Sequence, residues 1–420
     1  MAMVKKPVTG MKDILPEEMQ IRDYLIGLIK ETYRSFGFTP METPCVESIE
    51  NLSSKQGGEN EKLIFRILKR GEKLNLETAT CAEDLVDSGL RYDLTVPLAR
   101  YYANNTAKLP SPFKALQIGS VFRADRPQKG RFRQFTQCDI DILGEPSELA
   151  EIELILATTT CLGRIGFKGF VIRINDRRIL KAMSAYSGFN EADFEEVCII
   201  LDKMDKIGLD GVKAELLEAG YAEDSVNKYL SLFEAGEGEN RLAVIGKILV
   251  EAGVLEQEVL DRLQTIMKVV GESSTTEFNL TFDPTLVRGM GYYTGTIYEI
   301  GVEGFPGAVG GGGRYDEMVG RFAGQKTCAV GFSIGFERII TILMDEGFKV
   351  PEEGGKKAIV LDKDLPAERY AEVFQKAAAL RAEGKTVLIL TKNKNFKFQK
   401  EQLTAQGYED IEVVYKDEWK

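Results

Sequence analysis

The chain has 420 residues, of which 44% are hydrophobic and 28% charged. That usage suits two or three globular domains with real cores and excludes a disordered or fibrous chain. A net charge of −11 and an isoelectric point near 5.0 exclude indiscriminate attraction to nucleic acid. A nucleic-acid partner would need local basic patches and would bind salt-sensitively. No apolar run is long enough for a membrane span, and the start MAMVKKPVTG lacks the apolar core of a signal peptide. The six cysteines are scattered without a C-x-x-C pair, so reduced thiols, a cytoplasmic setting, no membrane and no structural zinc are expected. Histidine is absent. Any catalysis must therefore use arginines, carboxylates, tyrosines, backbone amides or a bound metal, with no imidazole base, triad or ligand.

Asp13 and Pro16 precede a helical pattern with Ile21, Leu25, Leu28, Ile29, Thr32 and Phe36 on one face, and Gly37 suits the position just past the helix end. FTPMETPCVES follows as an extended strand whose two prolines point to a sheet edge. Residues 54–75 combine a glycine turn, an apolar strand and a charged hairpin-like end. In LRYDLTVPLARYYANN, Asp93 and Thr95 share a face and Pro97 marks a change from strand to helix. Asp93 alone reads as a helix cap.

The most informative stretch is Phe113–Gly144, which reads as strand, basic turn, strand. One face carries Ala115, Gln117, Gly119, Val121 and Arg123, then Phe135, Gln137, Asp139 and Asp141 on the second arm. Arg123, Arg126, Lys129, Arg131 and Arg133 crowd around the turn. A water-covered sheet face would explain polar residues singly. The segregation of cations from carboxylates suggests a site for two kinds of group: a polyanion at the turn, and an amine or imidazole beside Gln137, Asp139 and Asp141.

Glu148–Gly163 reads as a helix and 169–175 as a strand. From 177 to 268 short amphipathic helices alternate with glycine breaks, as a helical insertion in a mixed domain would. Strands return at Glu277. Arg288, Tyr292 and Tyr293 stand among glycines, and Thr296–Val302 alternates as a strand. GAVGGGGRYDEMVGRF is no P-loop, because Arg314 stands where lysine would be needed; it reads equally as a pocket wall or a flexible loop. CAVGFSIGFERIITILM is a buried strand turning at Gly335 into a helix with Phe336, Ile339, Ile340, Leu343 and Met344 inward. Arg338 in its first turn opposes the helix dipole and would suit an anion or a flat ring. After a linker at 350–357, residues 358–420 read as a small α/β domain. There Lys392, Lys394, Lys397 and Lys400 are interleaved with Phe396 and Phe398, a pattern that suits single-stranded nucleic acid or simply an amphipathic helix.

Taken together, these segments resemble the histidyl-tRNA synthetases of the class II aminoacyl-tRNA synthetase family. GMKDILP and FGFTPMETP look like its amino terminus and motif 1, FRADRPQKGRFRQF like motif 2, and GFSIGFERI like motif 3. LVRGMGYYTG and VGGGGRYD look like the signatures particular to the histidine enzymes. The resemblance implies an α+β fold, a class II antiparallel-sheet catalytic core over 1–349 interrupted by the insertion at 177–268, with an anticodon-binding-like domain over 358–420. It implies histidine, ATP with Mg²⁺ on its phosphates, and tRNA(His) as ligands, and a homodimer built through motif 1. Asp93, Thr95 and Gln137 would hold the α-amino group of histidine. Asp141, Tyr293 and Tyr292, with Asp139 adding to the acidic wall, would take its imidazole. Arg123 and Arg288 would act on the α-phosphate of ATP, with Arg131 on the outer phosphates and Asp125 nearby. Arg338 and Phe135 would enclose adenine, and Gln128 would face the tRNA acceptor end. Arg288, Arg123 and Gln137 are the residues expected to carry catalysis.

Two departures from the family pattern stand out. Gly291 occupies a position that is acidic in most members, and residues 358–420 lack the last strand and helix of the usual anticodon-binding domain. The nearest alternative is the paralogous regulatory subunit of ATP phosphoribosyltransferase, which shares the catalytic fold without aminoacylation. An inactive tRNA-binding sensor is a third reading.

Overall fold

The computed structural model describes residues 3–53, 62–126, 131–236, 238–287, 291–305, 307–351, 355–363 and 365–416. It separates into two compact units, Met1–Phe348 and Lys349–Lys420.

The first unit opens with α1 (Pro16–Ser35), which starts at a proline and buries Ile21, Leu25, Ile29 and Tyr33. Gly37, at φ +81°, takes the left-handed turn that follows. β1 (Thr39–Pro40), β2 (Val46–Ser48), α2 (Ile49–Leu52), β3 (Arg66–Leu68) and β4 (Val86–Leu90) come next, then α3 (Thr95–Asn105). The expected hairpin is β5 (Phe113–Phe122) and β6 (Gln134–Leu143); its turn at 127–130 lies outside the described residues. α4 (Leu149–Ile165) and β7 (Phe170–Asp176) lead into a helical run.

That run comprises α5 (Arg177–Ser187), α6 (Phe194–Leu201), α7 (Met204–Glu218), α8 (Glu223–Glu234), α9 (Arg241–Glu251) and α10 (Gln257–Ser273). It extends five residues past the boundary read from composition. The Asp176 carboxylate caps α5 by accepting from the Arg178 amide at 2.9 Å. The unit closes with β8 (Phe278–Phe282), β9 (Thr296–Gly301), β10 (Gly310–Arg314), α11 (Asp316–Ala323), β11 (Ala329–Ile334) and α12 (Phe336–Asp345).

These strands make one eight-stranded sheet in the order β1-β5-β6-β11-β10-β9-β7-β8. The pairs from β5 to β7 are antiparallel, and β1 and β8 join the two ends in parallel. The two-proline segment supplies the edge strand β1, where Pro40 needs no ladder hydrogen on its outer side. A smaller sheet runs β2-β4-β3.

Buried polar pairs hold helices to the sheet. Arg22 of α1 meets Glu337 of α12 at 2.6 Å, both side chains being under a tenth exposed, and the Thr136 amide of β6 donates to the same carboxylate. Arg314, which looked out of place for a P-loop, is an anchor: it meets Glu151 of α4 through two nitrogens at 2.6 and 2.7 Å. In α12, Phe336, Ile339, Ile340 and Leu343 are buried as expected, but Met344 is 39% exposed because it lies on the outer side of the last turn.

The second unit holds β12 (Lys356–Leu361), α13 (Ala367–Ala382), β13 (Thr386–Thr391), α14 (Phe396–Ala405) and β14 (Asp410–Val414). Its sheet is parallel in the order β13-β12-β14. β12 starts at Lys356, inside the linker expected at 350–357, because Lys356 and Lys357 already pair with Thr386 and Val387. Phe396 packs on the cluster of Ala358, Val360 and Leu403, whereas Phe398 is 55% exposed.

Candidate active site

Alternation along β5 and β6 turns Gln117, Gln137, Asp139 and Asp141 to one face, and the register pairs Gln117 with Asp139 and Gly119 with Gln137. Gly119 leaves room for the buried Arg91 guanidinium, which donates to the carbonyls of Thr43 and Ser120. β11 lies beside β6, placing Gly331 opposite Asp141 and Ser333 opposite Asp139. A β-carbon at Gly331 would overlap the Asp141 carboxylate, so only glycine leaves that carboxylate its place.

Next comes β10, the four-glycine run that read equally as a wall or a loop. It is a strand, paired on both sides with β9 and β11. A β-carbon at Gly312 would overlap the Gly331 carbonyl, and one at Gly313 would stand 2.6 Å from the Thr296 carbonyl. The glycines bring these strands together and leave a bare backbone wall.

A cavity of about 110 Å³ opens on this face. Asp93, Thr95, Arg123, Gln137, Asp139, Asp141, Tyr292 and Tyr293 all line it. Asp93 is both the expected cap and a pocket residue: Oδ1 accepts from the Val96 amide at 3.1 Å, while Oδ2 is buried with no partner. Asp141 Oδ1 accepts from the Tyr315 hydroxyl at 2.6 Å, and Asp141 Oδ2 is likewise buried and unpartnered. Tyr292 packs edge-on against Tyr293, with centroids 4.8 Å apart, and against Tyr315 at 6.0 Å.

Asp93, Asp139 and Asp141 are each no more than 3% exposed. Burial pushes the Asp93 carboxyl up to about 6, with the Arg123 charge pulling against it. Burial likewise pushes Asp141 up to about 7, against the Tyr315 hydrogen bond, while the Asp93 charge adds to the rise. Asp139 is raised well above the usual carboxylate range by burial and by the neighbouring Asp141 charge. A cation entering this cavity would draw all three toward the ionised form.

A second, larger cavity of about 520 Å³ shares Arg123, Gln137, Gly311 and Ser333 with the first. Asp125, Arg131, Phe135 and Arg338 line it. The Arg123 guanidinium lies 5.1 Å from the Phe135 ring centroid, and its Nε donates to the Tyr92 carbonyl at 3.0 Å. Arg338 donates to the Ala308 carbonyl, a backbone partner the dipole argument did not foresee. Several cavity carboxylates are engaged in ion pairs: Asp205 and Glu299 on Arg173, and Glu337 on Arg22. The Asp205–Arg173 pair at 3.2 Å ties the α6–α7 corner to β7 at the cavity rim.

Arg288 and Gln128 lie outside the described residues. Lys392, Lys394 and Lys397 belong to the second unit. Lys392 Nζ sits 4.7 Å over the Tyr415 ring and 5.5 Å over Phe396. Tyr315 and Ser333 were missed as site residues. Both lie within quoted signatures, VGGGGRYD and GFSIGFERI, and pairing β11 against β6 would have put Ser333 next to Asp139.

A largely antiparallel sheet whose face holds an acidic, aromatic pocket opening into a larger arginine-bearing one is a class II aminoacyl-tRNA synthetase catalytic core. Residues 10–339 match the family profile described as Histidyl-tRNA synthetase. Among curated relatives, the "Histidine--tRNA ligase" of Leifsonia xyli subsp. xyli is 43% identical over 98% of this chain and 95% of its own length. That of Christiangramia forsetii is 36% identical over 82% of this chain and 78% of its own. The crystal structure of histidyl-tRNA synthetase from Nostoc sp. PCC 7120 superposes with a TM-score of 0.78 at 28% identity, over 97% of this chain and 90% of that one. An ATP phosphoribosyltransferase regulatory subunit/histidyl-tRNA synthetase from Bacillus halodurans reaches the same TM-score at 20% identity, over 99% of both chains, and shares the fold. The chain belongs to the histidyl-tRNA synthetase family.

Proposed function

We propose that this protein activates histidine with ATP and transfers the histidyl group to the 3′ end of tRNA(His), releasing pyrophosphate and then AMP. The observation that carries this reading is the junction of the two cavities at Arg123 and Gln137. An amino acid seated by its ammonium and imidazole in the small cavity would present its carboxylate toward a nucleotide in the large one.

In this reading Asp93, Thr95 and Gln137 hold the α-ammonium group. Asp141, buttressed by Tyr315, and Tyr293 receive the imidazole beside Tyr292. Phe135 and Arg338 flank adenine. Arg123 and Arg288 stabilise charge on the α-phosphate as the histidine carboxylate attacks it in line, and Arg131 takes the outer phosphates. The step needs alignment and charge stabilisation, with no protein nucleophile. Magnesium would arrive as part of the nucleotide substrate and supply charge that offsets the departing pyrophosphate, and Asp125, which lines the large cavity, is the carboxylate proposed near ATP.

Gln128 and the lysines 392, 394 and 397 are proposed tRNA contacts. The edge strand β1 and the exposed Val46 beyond it are the proposed dimer surface. Among the described residues no helix is long and apolar enough to cross a membrane, and the proposed compartment is the cytoplasm.

The test is ATP–pyrophosphate exchange across the twenty amino acids. Exchange with histidine alone is expected, and Arg288→Ala should abolish it while histidine still binds. Histidine binding with no exchange in the folded wild type would instead favour a regulatory binding subunit.

A further inference from the structure

Three side chains at the junction of the cavities form a chain of hydrogen bonds that the proposed contacts leave unexplained. Gln137 Nε2 donates to Ser333 Oγ at 3.2 Å, and Ser333 Oγ donates to Asp139 Oδ1 at 2.5 Å. Ser333 and Asp139 are register partners on β11 and β6, so the sheet itself holds their contact. Gly119, the register partner of Gln137 on β5, offers no side chain to the amide. The far end of the chain is Gln137 Oε1, which is buried and has no partner.

We propose that Ser333 and Asp139 are positioning residues: they fix which end of the Gln137 amide faces the pocket, so that its carbonyl reads the substrate's α-ammonium group. This deepens the histidine-activating reading and rests on it. With a substrate ammonium group in the cavity Asp139 is drawn to its ionised form, which can only accept hydrogen bonds, so it accepts one from the Ser333 hydroxyl. A hydroxyl whose proton is committed offers only lone pairs to its other neighbour. The amide must then turn its NH₂ toward Ser333 and its carbonyl toward the cavity. An ammonium group entering there satisfies the orphaned oxygen and neutralises the surrounding carboxylates. Turned the other way, the amide would point two donors at a cation. Asp139 therefore acts through Ser333 and Gln137, and does not itself touch the imidazole.

The experiment uses the full chain and compares wild type with Ser333→Ala, Ser333→Thr and Asp139→Asn. Exchange kinetics are measured with histidine, and binding is titrated with histidine, with histidinol, which keeps the ammonium group, and with imidazolepropionate, which lacks it. Ser333→Ala should raise KM for histidine about 10- to 100-fold with kcat nearly unchanged. Binding of histidinol should weaken in parallel, while that of imidazolepropionate stays within about twofold. Ser333→Thr, which restores the hydroxyl, should recover histidine binding. Asp139→Asn, whose carboxamide can donate to Ser333 and release the amide, should show the same selective loss. Equal weakening for all three ligands, or an unchanged histidine KM in Ser333→Ala, would overturn the inference. So would loss of imidazolepropionate binding in Asp139→Asn, which would make Asp139 an imidazole ligand. Should Ser333→Ala fail to fold, the Asp139→Asn and Ser333→Thr titrations decide alone. Absence of histidine-dependent exchange in the wild type would sink the functional reading itself, separately from these outcomes.

Discussion

Asp141→Asn should make the ligand-free protein more stable at high pH while weakening its hold on histidine. Asp141 is 2% exposed, and burial lifts its carboxyl from an ordinary 3.8 to about 7. A raised folded-state value means the folded chain holds the proton that the unfolded chain has released. The associated stability is full below about 4 and is lost as pH rises through about 7. The whole shift corresponds to roughly 4 kcal/mol, of which about 2–3 kcal/mol falls between pH 5 and pH 8. Asparagine carries no charge, and its Oδ1 can still accept from the Tyr315 hydroxyl. The stability difference between Asp141→Asn and wild type should therefore move in the variant's favour by about 2–3 kcal/mol over that interval. Urea denaturation of both proteins at pH 5, 6, 7 and 8, without ligand, measures it. A difference that stays flat across the series would refute the claim that this carboxylate is destabilised by its burial.

Gly331→Ala should abolish histidine binding, because its methyl group would occupy the place of the Asp141 carboxylate; calorimetric binding within tenfold of wild type would count against the pocket geometry. Arg22→Met should cost about 3–5 kcal/mol by stranding the buried Glu337 carboxylate. Arg22→Met combined with Glu337→Leu should recover much of that in urea titrations, and a purely additive loss would show that the pair is not the issue.

The hairpin and its polar face were legible because strand alternation needs only one segment of sequence. Gln137, Asp139 and Asp141 share a face by period two alone, and the register adds little to that. Tyr315 and Ser333 were not legible in the same way: they reach Asp141 and Asp139 across 174 and 194 residues of chain, through strand pairing. The Arg22–Glu337 pair, 315 residues apart, was invisible for the same reason. The glycine run of β10 stayed open between wall and loop because glycine has low strand preference, and only its two flanking partners make it a strand that walls the pocket. Arg338 was correctly seen to oppose its helix dipole, but its Ala308 partner lies on a segment the dipole argument does not reach.

The glycine strand also bears on how this pocket could change over generations. A cavity wall made of main chain has no side chain to trim, so under the proposed function every single substitution in Gly310–Gly313 adds atoms to the recognition surface and none removes them. Enlarging the pocket for a bulkier amino acid is closed off along that wall. Any drift in substrate preference would have to begin opposite it, among Asp139, Asp141 and the tyrosines, where a shorter or uncharged side chain is one codon step away.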